Sequence, residues 1–323
     1  MKDFAGKIAV VTGGGTGMGR ELVRQLAAEG CNVATCDVSV QNMAETKRLA
    51  EAAGLRQGQR VTAHLADVSD ETQLQRFRAE VAELQDTDKI HLLFNNAGIG
   101  GGGSFVASPR SEWERVFDIC WGGVYLGTRI FLPMLLQAEE GHIVNTSSLN
   151  GLWASLGPTV SHTAYSAAKF AVRGFTEALV TDLRLTAPHI KCSVVMPGHI
   201  GTAIFTNTRK ILTGSDAPAL SQAELAAARK TIAALGMDPS KFSDEDINKI
   251  AAERGRRFEE NAPMTAAAAA TVILDGVKDE RWRIVVGEDA KRIDELVRAT
   301  PERAYEVDFF ESMAQELGWG VMR

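Results

Sequence analysis

The sequence predicts an α/β fold, a doubly wound parallel sheet of about seven strands of Rossmann type, and three observations carry that reading. Short β-rich runs alternate with amphipathic or alanine-rich runs through the first part of the chain, as the helical crossovers of a parallel sheet require. A glycine-rich turn, Thr12 to Gly19, leaves the first of those runs and opens a helix, the arrangement by which such sheets hold dinucleotides. At 323 residues, 45% of them hydrophobic, the chain can bury one large core with elaborations.

In order, the β-rich runs are Ile8 to Thr12, Asn32 to Cys36, Val61 to Leu65, Ile90 to Phe94, Gly141 to Thr146, Ile190 to Val195 and Arg283 to Val286. Helical patterns at Met18 to Glu29, Gln41 to Ala53, Glu71 to Leu84, Ser111 to Leu136 and Thr163 to Thr186 separate them. After Thr202 the alternation stops, and no convincing strand intervenes before a helix near Thr265. Helix starts persist there: Ser221 with Glu224 has capping-box spacing, and Ser243 precedes the acidic turn Asp244-Glu245-Asp246. Residues 203–262 therefore read as a helical lid over the site, with an oligomer-contact arm as the alternative. From about 289 to 323 a C-terminal extension follows, in which Thr300-Pro301 is placed to start an amphipathic helix reaching Leu317. Residues 1–323 are expected to form a single catalytic domain.

The net charge is -6 and no basic stripe is present, which excludes nucleic acid and anionic membrane surfaces as expected partners. No run reaches the ~18 apolar residues of a membrane span, and the expectation is a soluble, cytoplasmic protein. Cys31, Cys36, Cys120 and Cys192 lack CxxC spacing and read as reduced structural thiols. The six histidines have no metal-ligand spacing and suit surface or strand-end positions; no metal is expected. His162 and His199 flank the expected pocket, for which Trp153, Phe205 and Phe242 offer an apolar wall, although core packing explains an aromatic equally well. Neither a GxSxG elbow nor a GxxxxGK[ST] loop occurs, against a serine hydrolase or a P-loop NTPase.

In the glycine-rich turn, Gly13 permits the tight bend, Gly17 lets backbone approach a pyrophosphate, and Gly19 allows helix and strand to pack closely. Asp37 ends the second strand twenty residues after Gly17. A carboxylate there accepts both ribose hydroxyls and repels a 2′-phosphate, so NAD is preferred and NADP disfavoured. Asp67 and Asn95-Asn-Ala-Gly98 stand at further strand exits, where ligand contacts and plain turn chemistry explain them equally. Tyr165 and Lys169 lie one helical turn apart. An ammonium on the same helix face favours phenolate, which suits a proton donor and acceptor beside a bound dinucleotide, although such spacing also arises by chance.

Taken together, Thr12-Gly-x-x-x-Gly17-x-Gly19, Asp67, Asn95-Asn-Ala-Gly98, the serine pair, Tyr165-x-x-x-Lys169 and Pro197-Gly198 resemble the short-chain dehydrogenase/reductase family over roughly residues 5 to 202. The resemblance implies a nicotinamide cofactor and interconversion of a secondary alcohol and a ketone. It makes Tyr165 the acid/base, Lys169 its ribose-binding neighbour, and Ser148, rather than the adjacent Ser147, the residue that orients the substrate oxygen. Asp67 would contact adenine, and Val68 beside it belongs to the implied cofactor set. Gly13, Thr16, Gly17, Met18, Gly19, Asn95, Ala97, Gly98, Pro197, Gly198, Ile200 and Thr202 complete the implied cofactor set.

Two departures stand out. Ser148 precedes Tyr165 by seventeen residues, a few more than the family usually has. Cys120 occupies the place of the family's catalytic asparagine, and a thiol lacks the amide's donors and acceptor. The expected function is an NAD-dependent alcohol/ketone oxidoreductase with a modified proton relay, acting on a bulky aromatic, alicyclic or steroid-like molecule. A catalytically silent dinucleotide-binding or scaffold protein is the alternative. The family's habit of pairing its long helices, here Ser111 to Leu136 and Thr163 to Thr186, implies a homodimer or homotetramer.

Overall fold

The computed structural model describes residues 1–317 except 102, 159 and 235. Strands β1 (Ile8–Thr12), β2 (Asn32–Asp37), β3 (Val61–Leu65), β4 (Leu92–Asn95), β5 (Gly141–Thr146) and β6 (Ile190–Pro197) are followed by the short β7 (Ile200–Gly201) and β8 (Met264–Thr265) and by β9 (Arg283–Val286). The main sheet runs β3-β2-β1-β4-β5-β6-β9 with every pairing parallel. The order reverses between β1 and β4, so the C-terminal ends of these two strands diverge into a crevice, the usual ligand position in such sheets.

Helices α1 (Gly17–Ala28), α2 (Val40–Ala52), α3 (Glu71–Gln85), α4 (Arg110–Phe117), α5 (Gly123–Leu136) and α6 (Thr163–Thr186) connect the first six strands. The pleat sends alternate side chains to opposite faces. Val10, Leu93 and Ile143 enter one core with Phe77 and Phe131, while Ala9, Val11, Leu92, Phe94 and Val144 enter the other with Leu22 and Ile273. Fully covered faces explain why the strands read as apolar runs.

The region between β7 and β8 is helical, as expected: α7 (Ile204–Thr213), α8 (Gln222–Ala234) and α9 (Asp244–Glu260). Both capping boxes form. Ser221 Oγ accepts from Glu224 N while Glu224 Oε2 accepts from Ser221 N, and Ser243 pairs with Asp246 in the same way. The β7–β8 pair closes the base of this insertion; two-residue strands carry no readable periodicity. Beyond α10 (Ala266–Lys278) and β9 come α11 (Glu288–Ala299) and α12 (Val307–Glu316). Thr300 does not cap a helix to Leu317: its hydroxyl donates back to Leu296 O, Pro301–Arg303 forms a 3-10 turn, and α12 starts at Val307.

A π-helical turn, Asp118–Gly122, joins α4 to α5. The continuous run Arg110–Leu136 has a mean hydropathy of 1.4 over its most apolar window, long and apolar enough to cross a membrane, contrary to the sequence expectation. Half of that window is buried, against α3, α6, β4 and β5, as a core helix requires.

Three histidines lie at strand ends, one of the two positions expected, but inside the core. His64, His91 and His142 are buried, with His64 Nδ1 2.7 Å from Glu80 and His142 Nε2 2.7 Å from Ser193 Oγ. All four cysteines are unpaired and buried, and burial pushes the Cys192 thiol up to about 12.

Candidate active site

At the exit of β1 the backbone turns with positive φ at Gly13 (67°) and Gly17 (54°), a region glycine enters without steric cost. A Cβ on Gly19 would stand 2.0 Å from Gly13 O, and one on Gly13 would stand 2.7 Å from Ala97 Cα. The turn is thus a cradle that side chains would fill, at the N-terminus of α1 where free amides favour phosphate. Thr12, to which sequence reasoning gave no side-chain role, ties this cradle to the next exit: its hydroxyl accepts from Asn96 N (3.0 Å) and Ala97 N (3.1 Å).

Asp37 closes β2. Its Oδ2 accepts from Gly15 N and its Oδ1 from Ser39 N, each at 3.0 Å, which fixes the carboxylate beside the glycine turn. Asp67, at the exit of β3, is held by two neighbours. Its Oδ2 pairs with Arg115 of α4 at 2.5 Å and its Oδ1 accepts from Ser69. Burial opposes its charge, yet the bonds from Arg115 and Ser69 win and hold the carboxyl below its ordinary range. Val68 is buried and faces Gly123, where a Cβ would meet its Cγ2 at 2.6 Å. Nothing in the local sequence marked Arg115 as a partner.

Asn95, buried at the end of β4, donates from Nδ2 to Thr128 Oγ1 (3.0 Å) and Asn145 Oδ1 (2.8 Å), and Asn145 donates to Thr176 Oγ1. This network locks β4, β5, α5 and α6 together beneath the crevice. On the far side, Gly198 N donates to Val286 O and His199 N donates to Asp289 Oδ2 (2.7 Å). Pro197 is the last residue of β6. Ile200 sends its side chain into the core, so only its backbone can face a ligand there, whereas the Thr202 methyl lies against Gly17. Met18 packs on the same core as Ile200.

The insertion reaches this crevice. Asn207 Nδ2 donates to Thr16 Oγ1 at 2.9 Å, and Gly100 N donates to Thr208 Oγ1 at 2.7 Å. Helix α7 therefore spans from the glycine-rich turn to the turn after β4. Behind it Phe205 packs edge-on against Phe258, with Arg254 over its ring. Phe242 instead closes the turn before α9, its carbonyl accepting from Arg229. Trp153 is fully buried away from the cleft, which corrects its reading as a pocket wall.

Helix α6 brings Tyr165 and Lys169 together, with Lys169 Nζ 5.4 Å from the Tyr165 ring centroid. The two serines separate by the alternation of the extended chain. Ser147 Oγ donates to Lys169 O at 2.7 Å, while Ser148 Oγ accepts from Asn150 N at 3.1 Å and stands on the Tyr165 side, where it opposes the rise of the phenol's pKa. Lys169 Nζ donates to Thr146 O at 2.9 Å. Cys120, in the π-helical turn, donates from Sγ to Ile99 O at 3.2 Å. A Cβ on Gly98 would lie 3.5 Å from Lys169 Nζ and 3.7 Å from Cys120 Sγ, so the amine and the thiol converge there.

Burial dominates the electrostatics of this site. It pushes the Tyr165 phenol above its ordinary value, with Cys120 adding to the rise and Ser148 opposing it, and it lowers the Lys169 ammonium. The acidic tyrosine expected from the neighbouring ammonium is therefore not what these surroundings produce: burial outweighs it. His162, at the start of α6, stacks on the Tyr165 ring at 4.6 Å and 13°. Burial, reinforced by the charge of Arg254, lowers it to about 4, which keeps the imidazole neutral near pH 7. His199 Nε2 lies 2.7 Å from Phe258 O. Among the described residues no group of three or more His, Cys, Asp or Glu is placed to hold a metal.

A parallel sheet with this strand order, a glycine cradle and a Ser-Tyr-Lys cluster at its C-terminal edge define a dinucleotide-dependent oxidoreductase class. Residues 7–212 match the family described as short chain dehydrogenase, and the chain belongs to that family. It is 35% identical to the protein SadH of Mycobacterium tuberculosis over 92% of each chain. With the 3-alpha-(or 20-beta)-hydroxysteroid dehydrogenase of Mycobacterium bovis it shares 34% identity over 61% of this chain and 70% of the other. A short chain dehydrogenase/reductase from Burkholderia phymatum, solved in complex with NAD, superposes with a TM-score of 0.73 at 30% identity, over 94% of this chain and 96% of that one.

Proposed function

We propose that the chain is an NAD-dependent enzyme that interconverts a bulky secondary alcohol and its ketone. The observation that carries this reading is the cluster of Ser148, Tyr165 and Lys169 beside a glycine cradle that a Cβ would fill. Gly13, Thr16, Gly17 and Gly19 would hold the pyrophosphate, Asp37 the adenosine ribose, Lys169 the nicotinamide ribose, and the turn from Pro197 to Thr202 the carboxamide. The nicotinamide ring, when bound, supplies or accepts the hydride. Ser148 holds the substrate oxygen, and Tyr165 takes the hydroxyl proton in oxidation or returns it in reduction.

Asp37 supports NAD over NADP, because both its oxygens are already fixed by amides and its charge opposes a 2′-phosphate. The bulky substrate is supported by the aromatic pair Phe205 and Phe258 on the insertion and by the hydroxysteroid dehydrogenase relative. In this reading α7 to α9 act as a lid. Four unpaired cysteines support a cytoplasmic setting, and the exposed Tyr125, Leu136 and Phe170 on α5 and α6 support pairing into a homodimer or homotetramer.

A second reading, a silent dinucleotide binder, draws on the Cys120 thiol being engaged by Ile99 O. The deciding experiment offers NAD and NADP side by side with a panel of steroid, alicyclic and aryl alcohols and ketones, while NADH fluorescence reports binding. Turnover that disappears in Tyr165→Phe with NADH binding retained is expected. Binding without turnover of any compound supports the silent protein, and undiminished turnover in Tyr165→Phe removes the proton-transfer assignment.

A further inference from the structure

The C-terminal extension lies outside residues 7–212, the part matched by the family, yet it grips the loop that carries Ser148. Trp153 Nε1 donates to Ala304 O at 2.6 Å, and Ala154 N donates to Tyr305 Oη at 3.2 Å. The Trp153 ring, 1% exposed, stacks on Phe310 at 6.2 Å and 21° and meets Phe309 edge-on. Gly157 has a φ of 106°, and a Cβ there would stand 2.6 Å from Phe310 Cζ, so the loop and α12 fit without room for a side chain between them. Leu149, Trp153, Ala290, Ile293, Ala304 and Met313 form a core of their own, separate from the two that cover the sheet.

From that core a continuous set of bonds runs to the substrate side. Asn150 Nδ2 donates to Trp153 O (3.2 Å) and to Ser155 O (3.0 Å), and Asn150 N donates to Ser148 Oγ (3.1 Å). Ser148 in turn acts on the Tyr165 phenol, whose pKa it lowers. Each of Ala304, Trp153, Asn150 and Ser148 thus constrains the next. Ser148 and Asn150 are buried, where a hydrogen bond left unmade is costly.

We propose that Trp153, latched to Ala304 by its indole N–H and to α12 by its ring, is a positioning residue that sets the aim of the Ser148 hydroxyl, making the C-terminal extension part of the active site's scaffold. Among its described residues, the extended loop from Ser148 to His162 has no strand or helix to define it beyond the 3-10 turn Leu149–Gly151. The extension supplies that definition from the same chain, and it sets Tyr305 beside His162 along a cleft of about 580 Å³. The inference rests on the role proposed for Ser148, since a latch on an idle serine would have no catalytic effect.

The test uses the full chain with Trp153→Phe, which keeps an aromatic ring against Phe310 while removing the indole N–H donor and part of the ring volume. Hydrogen exchange at Gly151, Leu152 and Trp153, whose amides donate to Ser148 O and Leu149 O, is expected to quicken about fivefold, the effect of one lost hydrogen bond. Exchange in β1 and α1 should not change. With a bulky ketone, kcat is expected to fall by about 10- to 100-fold, the range for a small misplacement of a reacting group, while NADH affinity stays within about twofold, since none of the bonds in the latch reaches the glycine cradle. In a Ser148→Ala background Trp153→Phe should have no further effect on kcat, because coupled residues are not additive. Unchanged loop exchange overturns the latch; quickened exchange with unchanged kcat, or an equal loss of kcat in the Ser148→Ala background, overturns the positioning role. If the wild-type chain itself turns over no ketone or alcohol, the proposed function fails, and the exchange measurement still decides whether the latch exists.

Discussion

Acid should weaken this protein through one residue of the strand that leads to Ser148. His142 of β5 is 1% exposed, and its Nε2 lies 2.7 Å from Ser193 Oγ, which itself donates to Arg281 O at 2.6 Å. With the serine proton so directed, the imidazole must donate from Nε2 and carry its lone pair on Nδ1, which has no partner among the described residues. A second proton would thus be buried unpaired. Burial, with the nearby N-terminal ammonium, lowers His142 to about 3, against an ordinary value of about 6.5. Above that ordinary value both folded and unfolded chains are neutral here and nothing is lost. As pH falls from there toward 3, the unfolded chain takes up a proton that the folded chain refuses, and stability drops by about 1.4 kcal/mol per pH unit. Between pH 7 and pH 5 the loss is about 2 kcal/mol from this side chain alone. His142→Gln retains a donor toward Ser193 and abolishes the titration. Urea unfolding of both proteins at the two pH values should show the wild type losing about 2 kcal/mol more than the variant, groups common to both cancelling. Equal losses would refute the reasoning.

Other perturbations address the site. Gly19→Ala places a methyl 2.0 Å from Gly13 O and should abolish NADH binding, read by fluorescence titration, while circular dichroism still reports a folded chain. Asp37→Ala removes the charge that opposes a 2′-phosphate and should raise the NADP to NAD ratio of kcat/KM by about tenfold or more, like-charge apposition being worth several kcal/mol. Asn207→Ala breaks the bond from α7 to Thr16 and should weaken NADH binding about fivefold, in keeping with about 1 kcal/mol for one hydrogen bond. Cys120→Asn restores an amide in the π-helical turn; a changed pH-rate profile is expected if the thiol limits the proton relay, and an unchanged profile and turnover would show the side chain to be irrelevant.

The sheet was legible because its strands are short apolar runs between breakers: Ile8–Thr12, Val61–Leu65, Gly141–Thr146 and Arg283–Val286 form as read. Thr163–Thr186 was legible for its helical periodicity, and with it the nearness of Tyr165 and Lys169, since residues four apart share a helix face. What escaped is long-range or aperiodic. The π-helical turn at Asp118–Gly122 leaves the apolar pattern uninterrupted, so Ser111 to Leu136 reads as one helix. Arg115 meets Asp67 only once the chain brings the exit of β3 within reach of α4. Trp153 looks like a pocket wall until the extension is folded onto it, and the burial of His64, His91 and His142 at their strand ends is decided by partners from elsewhere in the chain, Glu80, Ile8 N and Ser193. The different surroundings of Ser147, which donates to Lys169 O, and Ser148, which accepts from Asn150 N, depend on which way the chain points each hydroxyl after β5.

The position of β9 at the margin of the sheet has a consequence for biosynthesis. Residues Arg283–Val286 pair with β6, and at about 5–20 residues per second the ribosome needs roughly 4 to 17 s to make the stretch from Pro197 to Arg283. Through that interval the outer rim of β6 has no neighbour, and such rims invite pairing with other chains. The turn after Pro197 also waits for its two fastenings, Val286 O and the Asp289 carboxylate. A nascent chain halted before β9 would therefore display a finished glycine cradle beside an unfastened far wall, and its grip on the coenzyme should mature only as translation ends.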